Sequence, residues 1–151
     1  MPAETDTTCQ AGVVPYRFGA TGLEFCLITT RRSQRWTFPK GWAGTDETVR
    51  DAALREAWEE AGVTGRIVGD PLGQYRYTKR GRRQSVTVLL MAVENCSDDW
   101  VEAGERRRRW ASRAKARRLL DRTDLIQLLQ AAVERIKAGP AVPRDDAAKR
   151  A

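Results

Sequence analysis

The sequence predicts a mixed α/β (α+β) fold, a sandwich with helices on both sides of a mixed central sheet. Three observations lead there. Strand-like runs stand on both sides of one capped helical stretch, that stretch is polar on one face and apolar on the other, and the last part of the chain repeats its apolar residues at helical spacing.

Residues 11–18, AGVVPYRF, read as a strand in which Pro15 points to an edge or a bulge. Gly19 to Gly22 supply a turn, and residues 23–30, LEFCLITT, return from it to complete a hairpin. A helix then starts at Asp46 or Thr48, with Thr48 and Asp51 at capping-box spacing, and is stopped by Gly62 followed by Gly65. Leu54, Ala57, Trp58 and Ala61 form its apolar face, while Glu56, Glu59 and Glu60 gather on the other.

Beyond it, Gly69, Asp70, Pro71 and Gly73 break residues 66–78 into short strands. Residues 79–83, KRGRR, form a basic turn, and the Val- and Leu-rich residues 84–94 complete a second hairpin. An acidic loop over 95–104 precedes RRRRW; as a strand, this run sends alternate arginines to opposite faces, so at most about half of them serve one site. Ser112 caps a short helix through Leu120. Thr123 caps a longer one over 124–138, where Leu125, Leu128, Leu129, Ala132, Val133 and Ile136 repeat as core. The chain divides into a flexible N-terminus (1–10), one domain (11–138) and a flexible tail (139–151).

Composition narrows the function classes. A hydrophobic content of 41% with 31% charged residues is that of a soluble globular domain. The longest apolar run, 88–93, is far too short to span a bilayer and no signal-peptide pattern opens the chain, so the expected location is the cytoplasm. Three cysteines without metal-type spacing read as free thiols. The absence of histidine removes a Ser-His-Asp triad and any imidazole-built zinc site. Acid–base work near neutral pH then falls to Glu, Asp, Lys, Tyr, Cys or metal-bound water. A net charge of +7 favours polyanionic ligands, whether small polyphosphates or nucleic acid.

The chemistry concentrates in residues 40–63, KGWAGTDETVRDAALREAWEEAGV. Three carboxylates crowd one helical turn, and no Lys or Arg stands four residues after any of them. A solvated acidic face is the common meaning of such a helix; a bound divalent cation is the sharper one. Mg²⁺ in phosphate chemistry takes one or two carboxylates plus substrate and water oxygens, which this face supplies.

Gly41, Glu47, Arg55, Glu56, Glu59, Glu60 and Gly62 also fall at fixed offsets that would coincide by chance about once in 10⁸–10⁹ windows. The pattern resembles the Nudix box, departing from it at Ala57, where the family prefers a larger aliphatic residue. The similarity extends over most of residues 11–137, and the Nudix fold agrees with the sandwich read above.

The resemblance implies attack of water on a phosphorus of a diphosphate linkage, dependent on Mg²⁺ (Mn²⁺ being possible). It makes Glu56 and Glu60 the principal metal ligands and Glu59 the proton acceptor or a further ligand. Arg55 would orient the carboxylates, held by Asp51 and Glu59, while Glu47 and Gly41 would shape the loop, the glycine offering its carbonyl to the metal. Glu94, Glu102 and Glu105 are alternative bases from a loop.

Residues RRSQRWTFPKGW, REAWEEAGV and ERRRRWAS resemble the branch that hydrolyses diphosphoinositol polyphosphates and diadenosine polyphosphates. Arg31, Arg32 and Lys40 near the box, with Arg17, Arg76, Lys79 and Arg82 from the two hairpins, are the residues expected to meet substrate phosphates. Trp42 either stacks on a base or packs. Oxidised nucleoside triphosphates and 5′-triphosphorylated RNA are alternative substrates, and a non-catalytic polyanion-binding module is the reading from another class.

Overall fold

The computed structural model describes residues 7–139. Its elements run β1 (Thr7–Gly19), β2 (Gly22–Thr29), β3 (Trp36–Thr37), β4 (Lys40–Trp42), α1 (Val49–Ala61), β5 (Val63–Ile67), β6 (Gly73–Lys79), β7 (Arg82–Cys96), β8 (Arg108–Ser112), α2 (Arg113–Leu119) and α3 (Thr123–Lys137). The expectations of a flexible N-terminus and tail lie outside the described residues for 1–6 and 140–151. Within them the first strand opens at Thr7, four residues earlier than expected, because Thr7–Gln10 pair in register with Arg83–Val86 of β7.

The strands form one eight-stranded mixed sheet. At its centre β1 and β7 run parallel from Thr7↔Arg83 to Tyr16↔Ala92; every other pairing is antiparallel. Along its other side β1 changes partner, from β4 at Gln10–Gly12 to β2 at Tyr16–Gly19. Pro15 is therefore in a central strand, neither at an edge nor in a bulge. Val13 donates its N–H to Pro39 O, so the nitrogen two residues on points to the same side, into the gap between β4 and β2 where no ladder bond is lost.

Alternation along the strands divides the core into two. Val14, Phe25, Leu27, Val88 and Leu90 face α2 and α3, where Leu125, Leu128, Leu129, Ala132 and Val133 complete a core of large side chains. Ala11, Val13, Cys26, Ile28, Leu89 and Met91 face α1, which answers with Ala52, Ala53, Ala57 and Ala61. The buried face of α1 is thus its alanine face. Leu54 is only partly buried and Trp58 is 39% exposed, contrary to the apolar face read from spacing. Small residues let the helix settle close to the sheet, leaving no room for an indole between them.

Both hairpins form. The tip between β6 and β7 turns through Arg80 and Gly81, both at positive φ. Thr48 caps α1 by accepting from the Asp51 N–H, and Gly62 ends it in the left-handed conformation, its N–H bonded to Ala57 O and Trp58 O. Gly65 takes no part in that stop; it stands beside a register shift in the β5–β7 pairing. Ser112 caps α2 as expected, whereas α3 begins at Thr123 itself and has no side-chain cap.

Candidate active site

An open cleft of about 1090 Å³ lies where the acidic side of α1 meets β4, the β6–β7 hairpin and the loops after β2 and β7. Glu56, Glu59 and Glu60 line it from the helix, Lys40, Gly41 and Trp42 from β4, and Arg31 and Arg32 from the loop after β2. Lys79, Arg80 and Arg82 reach it from the hairpin tip.

Two carboxylates are set deep. Glu56 and Glu60 are each 8% exposed, an unusual burial for acids. Glu60 accepts the Lys40 backbone N–H at 3.1 Å and an Arg106 N–H at 3.2 Å, yet burial still pushes its carboxyl up to about 7. Burial raises Glu56 as well, against the opposing pull of Arg55. Gly41 explains how Glu56 fits: a Cβ on this residue would collide with the Glu56 carboxyl group, so only glycine leaves the carboxylate its place.

Arg55 organises the entrance side. It forks onto Glu47 at 2.7 and 2.8 Å, donates to Glu56 at 2.9 Å and to Trp42 O at 2.9 Å, and reaches Glu59 at 3.4 Å. Asp51, expected as one of its partners, is not among them. Glu47 also accepts the Gly44 N–H, and these bonds, that of Arg55 first, hold its carboxyl down at about 2.

A second arginine, Arg106, sits between Glu60 and Glu102, with a third bond to Thr29 O; its side chain is 10% exposed. The ladder continues outward, because Glu102 also meets Arg31 at 3.1 Å and Arg31 meets Glu105 at 2.8 Å. The Glu102 carboxylate accordingly raises Arg31 above its ordinary pKa. Glu102 is brought here by a loop docked on the C-terminal carbonyls of α1, Glu102 N–H to Glu59 O and Trp100 Nε1–H to Glu60 O, while Arg108 at the start of β8 donates Nη1–H to Ala61 O. Gly62 is required where this loop crosses, since a Cβ would meet Trp100 Cβ at 2.9 Å on a residue already at φ 68.

Of the sequence-predicted residues, Glu56, Glu59, Glu60, Gly41, Arg31, Arg32, Lys40, Lys79 and Arg82 converge on the cleft, with Arg55 behind the carboxylates. Two stand apart. Arg17 is seven residues along β1 from Gln10, about 20 Å, and is held by Glu24 and the face of Trp110. Arg76 is exposed and absent from the cleft lining; strand alternation turns it away from its neighbours Tyr75 and Tyr77. Of the three acids expected to act from a loop, Glu102 lines the cleft and Glu105 is at its outer edge on Arg31, whereas Glu94 is not in a loop but in β7, near Arg66. Trp42 is 54% exposed at the rim, so it is not a packing residue.

Sequence reading missed Arg106, Gln10, Tyr77 and Gln84, all of which line the cleft. No local signal separates Arg106 from its three arginine neighbours. Arg107 and Arg108 lie over the faces of Trp36 and Trp100, and Arg109 is exposed, so one arginine of the four enters the cleft. Among the described residues, no three acidic or thiol side chains gather closely enough to hold a metal ion unaided. No helix among them is long and apolar enough to cross a membrane.

The sandwich, the glycine-bounded helix with its two buried carboxylates and the basic rim define the NUDIX domain, whose family model matches residues 9–132; the chain belongs to the Nudix hydrolase family. It is 34% identical over 132 residues to Nudix hydrolase 4 of Arabidopsis thaliana, a match covering 80% of this chain and 62% of that protein. A 32% identity over 90 residues relates it to mouse diphosphoinositol polyphosphate phosphohydrolase 3-alpha, over 58% of this chain and 54% of the relative. Against the crystal structure of a C. elegans Ap4A hydrolase binary complex the TM-score is 0.77 at 27% identity, covering 87% of this chain and 98% of that one. The chain spans 62% and 65% of the lengths of Nudix hydrolases 4 and 21 of Arabidopsis.

Proposed function

We propose that the protein is a metal-dependent pyrophosphohydrolase that splits a diphosphate linkage in a highly phosphorylated small molecule, either a dinucleoside polyphosphate or an inositol pyrophosphate. The observation that supports this best is the pairing of two buried carboxylates with a rim of cations in one cleft. The relatives' names point to the same two ligand classes.

The donor set suits Mg²⁺ or Mn²⁺. Glu56 and Glu60 offer hard oxygens, Gly41 leaves the Glu56 carboxylate its place, and each carboxylate shares its arginine with another acid, Arg55 with Glu47 and Arg106 with Glu102. Glu59 and Glu102 line the same cleft, and the remaining coordination positions are left to phosphate and water oxygens. The metal would neutralise diphosphate charge and lower the pKa of bound water.

The chain's own residues do the rest. Arg55 fixes Glu56 and Glu47, Arg106 fixes Glu60, and Glu59, only weakly engaged at 3.4 Å, is free to accept a proton. Arg31, Arg32, Lys79 and Arg82 stabilise charge on the phosphoryl oxygens as the linkage breaks. A product-resolved screen tests this reading, using diadenosine polyphosphates, inositol pyrophosphates, nucleotide sugars, oxidised nucleoside triphosphates and 5′-triphosphorylated RNA, each with and without Mg²⁺. Metal-dependent cleavage of either of the first two classes is the expected result. Exclusive cleavage of triphosphorylated RNA or nucleotide sugars would refute the substrate assignment, and binding without turnover would refute the reaction.

A further inference from the structure

One wall of the cleft is built from neutral hydrogen-bonding groups. Gln84 on β7 faces Tyr77 across the β6–β7 ladder, and Gln10 on β1 is its diagonal neighbour, because Gln10 pairs with Val86. Gln10 is 6% exposed and Gln84 5%, and both line the cleft.

The bonds along this wall have a direction. Lys40 Nζ donates to Tyr77 OH at 2.9 Å, and Tyr77 OH donates to Gln10 Oε1 at 2.9 Å, so the Gln10 carbonyl is satisfied. The Lys40 ammonium also lies 4.7 Å from the centre of the Tyr77 ring. Gln84 stands outside this chain: its Oε1 is fully buried and accepts no hydrogen bond. A buried carbonyl without a donor is costly, and one beside an open cleft invites a donor from a ligand.

We propose that Gln84, beside the Lys40–Tyr77–Gln10 relay, is a specificity-determining residue that receives the hydroxyl or N–H groups of a nucleoside, selecting nucleoside polyphosphates over inositol pyrophosphates. The proposal rests on the hydrolase reading above and refines its substrate. Rotation about the terminal torsion of Gln84, which is broad for an amide, turns its carbonyl toward the cleft and the incoming donor. A ribose hydroxyl or the amino edge of a base supplies that donor. A fully phosphorylated inositol ring has no free hydroxyl or amino group and offers the carbonyl at most the few phosphate protons that Mg²⁺ leaves in place. Sites built to bond a donor discriminate strongly against ligands lacking one.

The test is calorimetric titration of the full chain in Mg²⁺ with a methylene-bridged diadenosine tetraphosphate, inorganic tripolyphosphate and inositol hexakisphosphate. Gln84→Leu should weaken the dinucleotide about 10- to 100-fold and change tripolyphosphate affinity by less than about 2-fold, the magnitude of a lost neutral contact elsewhere. Its melting temperature should be unchanged or higher, since an unpaired carbonyl has been removed; Gln84→Met serves if the leucine variant does not fold. Unaltered dinucleotide affinity, or an equal loss for tripolyphosphate or inositol hexakisphosphate, would overturn the proposal. A wild-type protein that cleaves inositol pyrophosphate in preference to dinucleotides also overturns it and leaves the hydrolase standing. Dinucleotide binding through Gln84 with no turnover in Mg²⁺ does the reverse.

Discussion

The two faces of the sheet are built from different material. Helix α3 meets the sheet through a row of leucines set against Phe25, Leu27 and Leu90, whereas α1 meets it through Ala52, Ala53, Ala57 and Ala61. Large side chains bury more apolar area, so the α3 face supplies most of the hydrophobic stabilisation. Small ones bring a helix close. On the α1 face that closeness carries Glu60 to the backbone of Lys40 and Glu56 into the space beside Gly41. One side holds the fold together and the other holds carboxylates in place.

Substitutions at the two faces should act on different quantities. Glu60→Gln should lower kcat by about 10³-fold or more while circular dichroism stays that of the folded protein; loss of the fold would show that Glu60 is structural. On the opposite face, Leu129→Ala should cost about 2–5 kcal/mol in denaturant unfolding and leave kcat per folded molecule unchanged. A matching fall in kcat would mean that the two faces are not separable.

Acidity sharpens the contrast. Glu60 is near 7 in the fold against its ordinary 4.5, so the folded, metal-free protein keeps a proton that the unfolded chain releases. This contribution is complete below pH 4.5 and is lost as pH rises through about 7, a change of about 3 kcal/mol. Glu47, held at about 2, acts in the neighbouring window: its contribution is present above 4.5 and is lost as pH falls toward 2. Denaturant unfolding without divalent metal should therefore show stability falling from pH 4.5 to about 7, and Glu60→Gln should flatten that slope. A wild-type profile that is flat or rising contradicts it.

The smallest effects separate cations inside the cleft from those outside. Arg31→Ala should raise KM about 10-fold, whereas Arg17→Ala and Arg76→Ala should leave steady-state kinetics within about 2-fold. A KM change at Arg17 equal to that at Arg31 would mean the ligand extends far beyond the cleft.

What could be read without coordinates was local. The cap at Thr48, the stop at Gly62, the two hairpin turns and the leucine repeat of α3 are each specified by neighbours within a few residues. The glutamate positions were legible for the same reason, being set by spacing on one helix. What escaped depends on distant pairing. The parallel β1–β7 ladder brings Gln10 beside Gln84, and the Arg106–Glu60 bond spans 46 residues. Trp58 was misplaced because periodicity marks a face as apolar without saying how near the sheet lies. Arg17 and Arg76 were grouped with the cleft by charge alone, although strand position and alternation send them elsewhere.

The most direct measurement is a calorimetric Mg²⁺ titration of the wild type and of Glu60→Gln, with a nonhydrolysable diphosphate ligand present. The wild type should bind the ion with heat and with proton release that grows as pH falls below about 7, and the variant should lose both. Identical isotherms for the two proteins, or no metal binding by either, would contradict the view that the helix was set against the sheet to hold a cation.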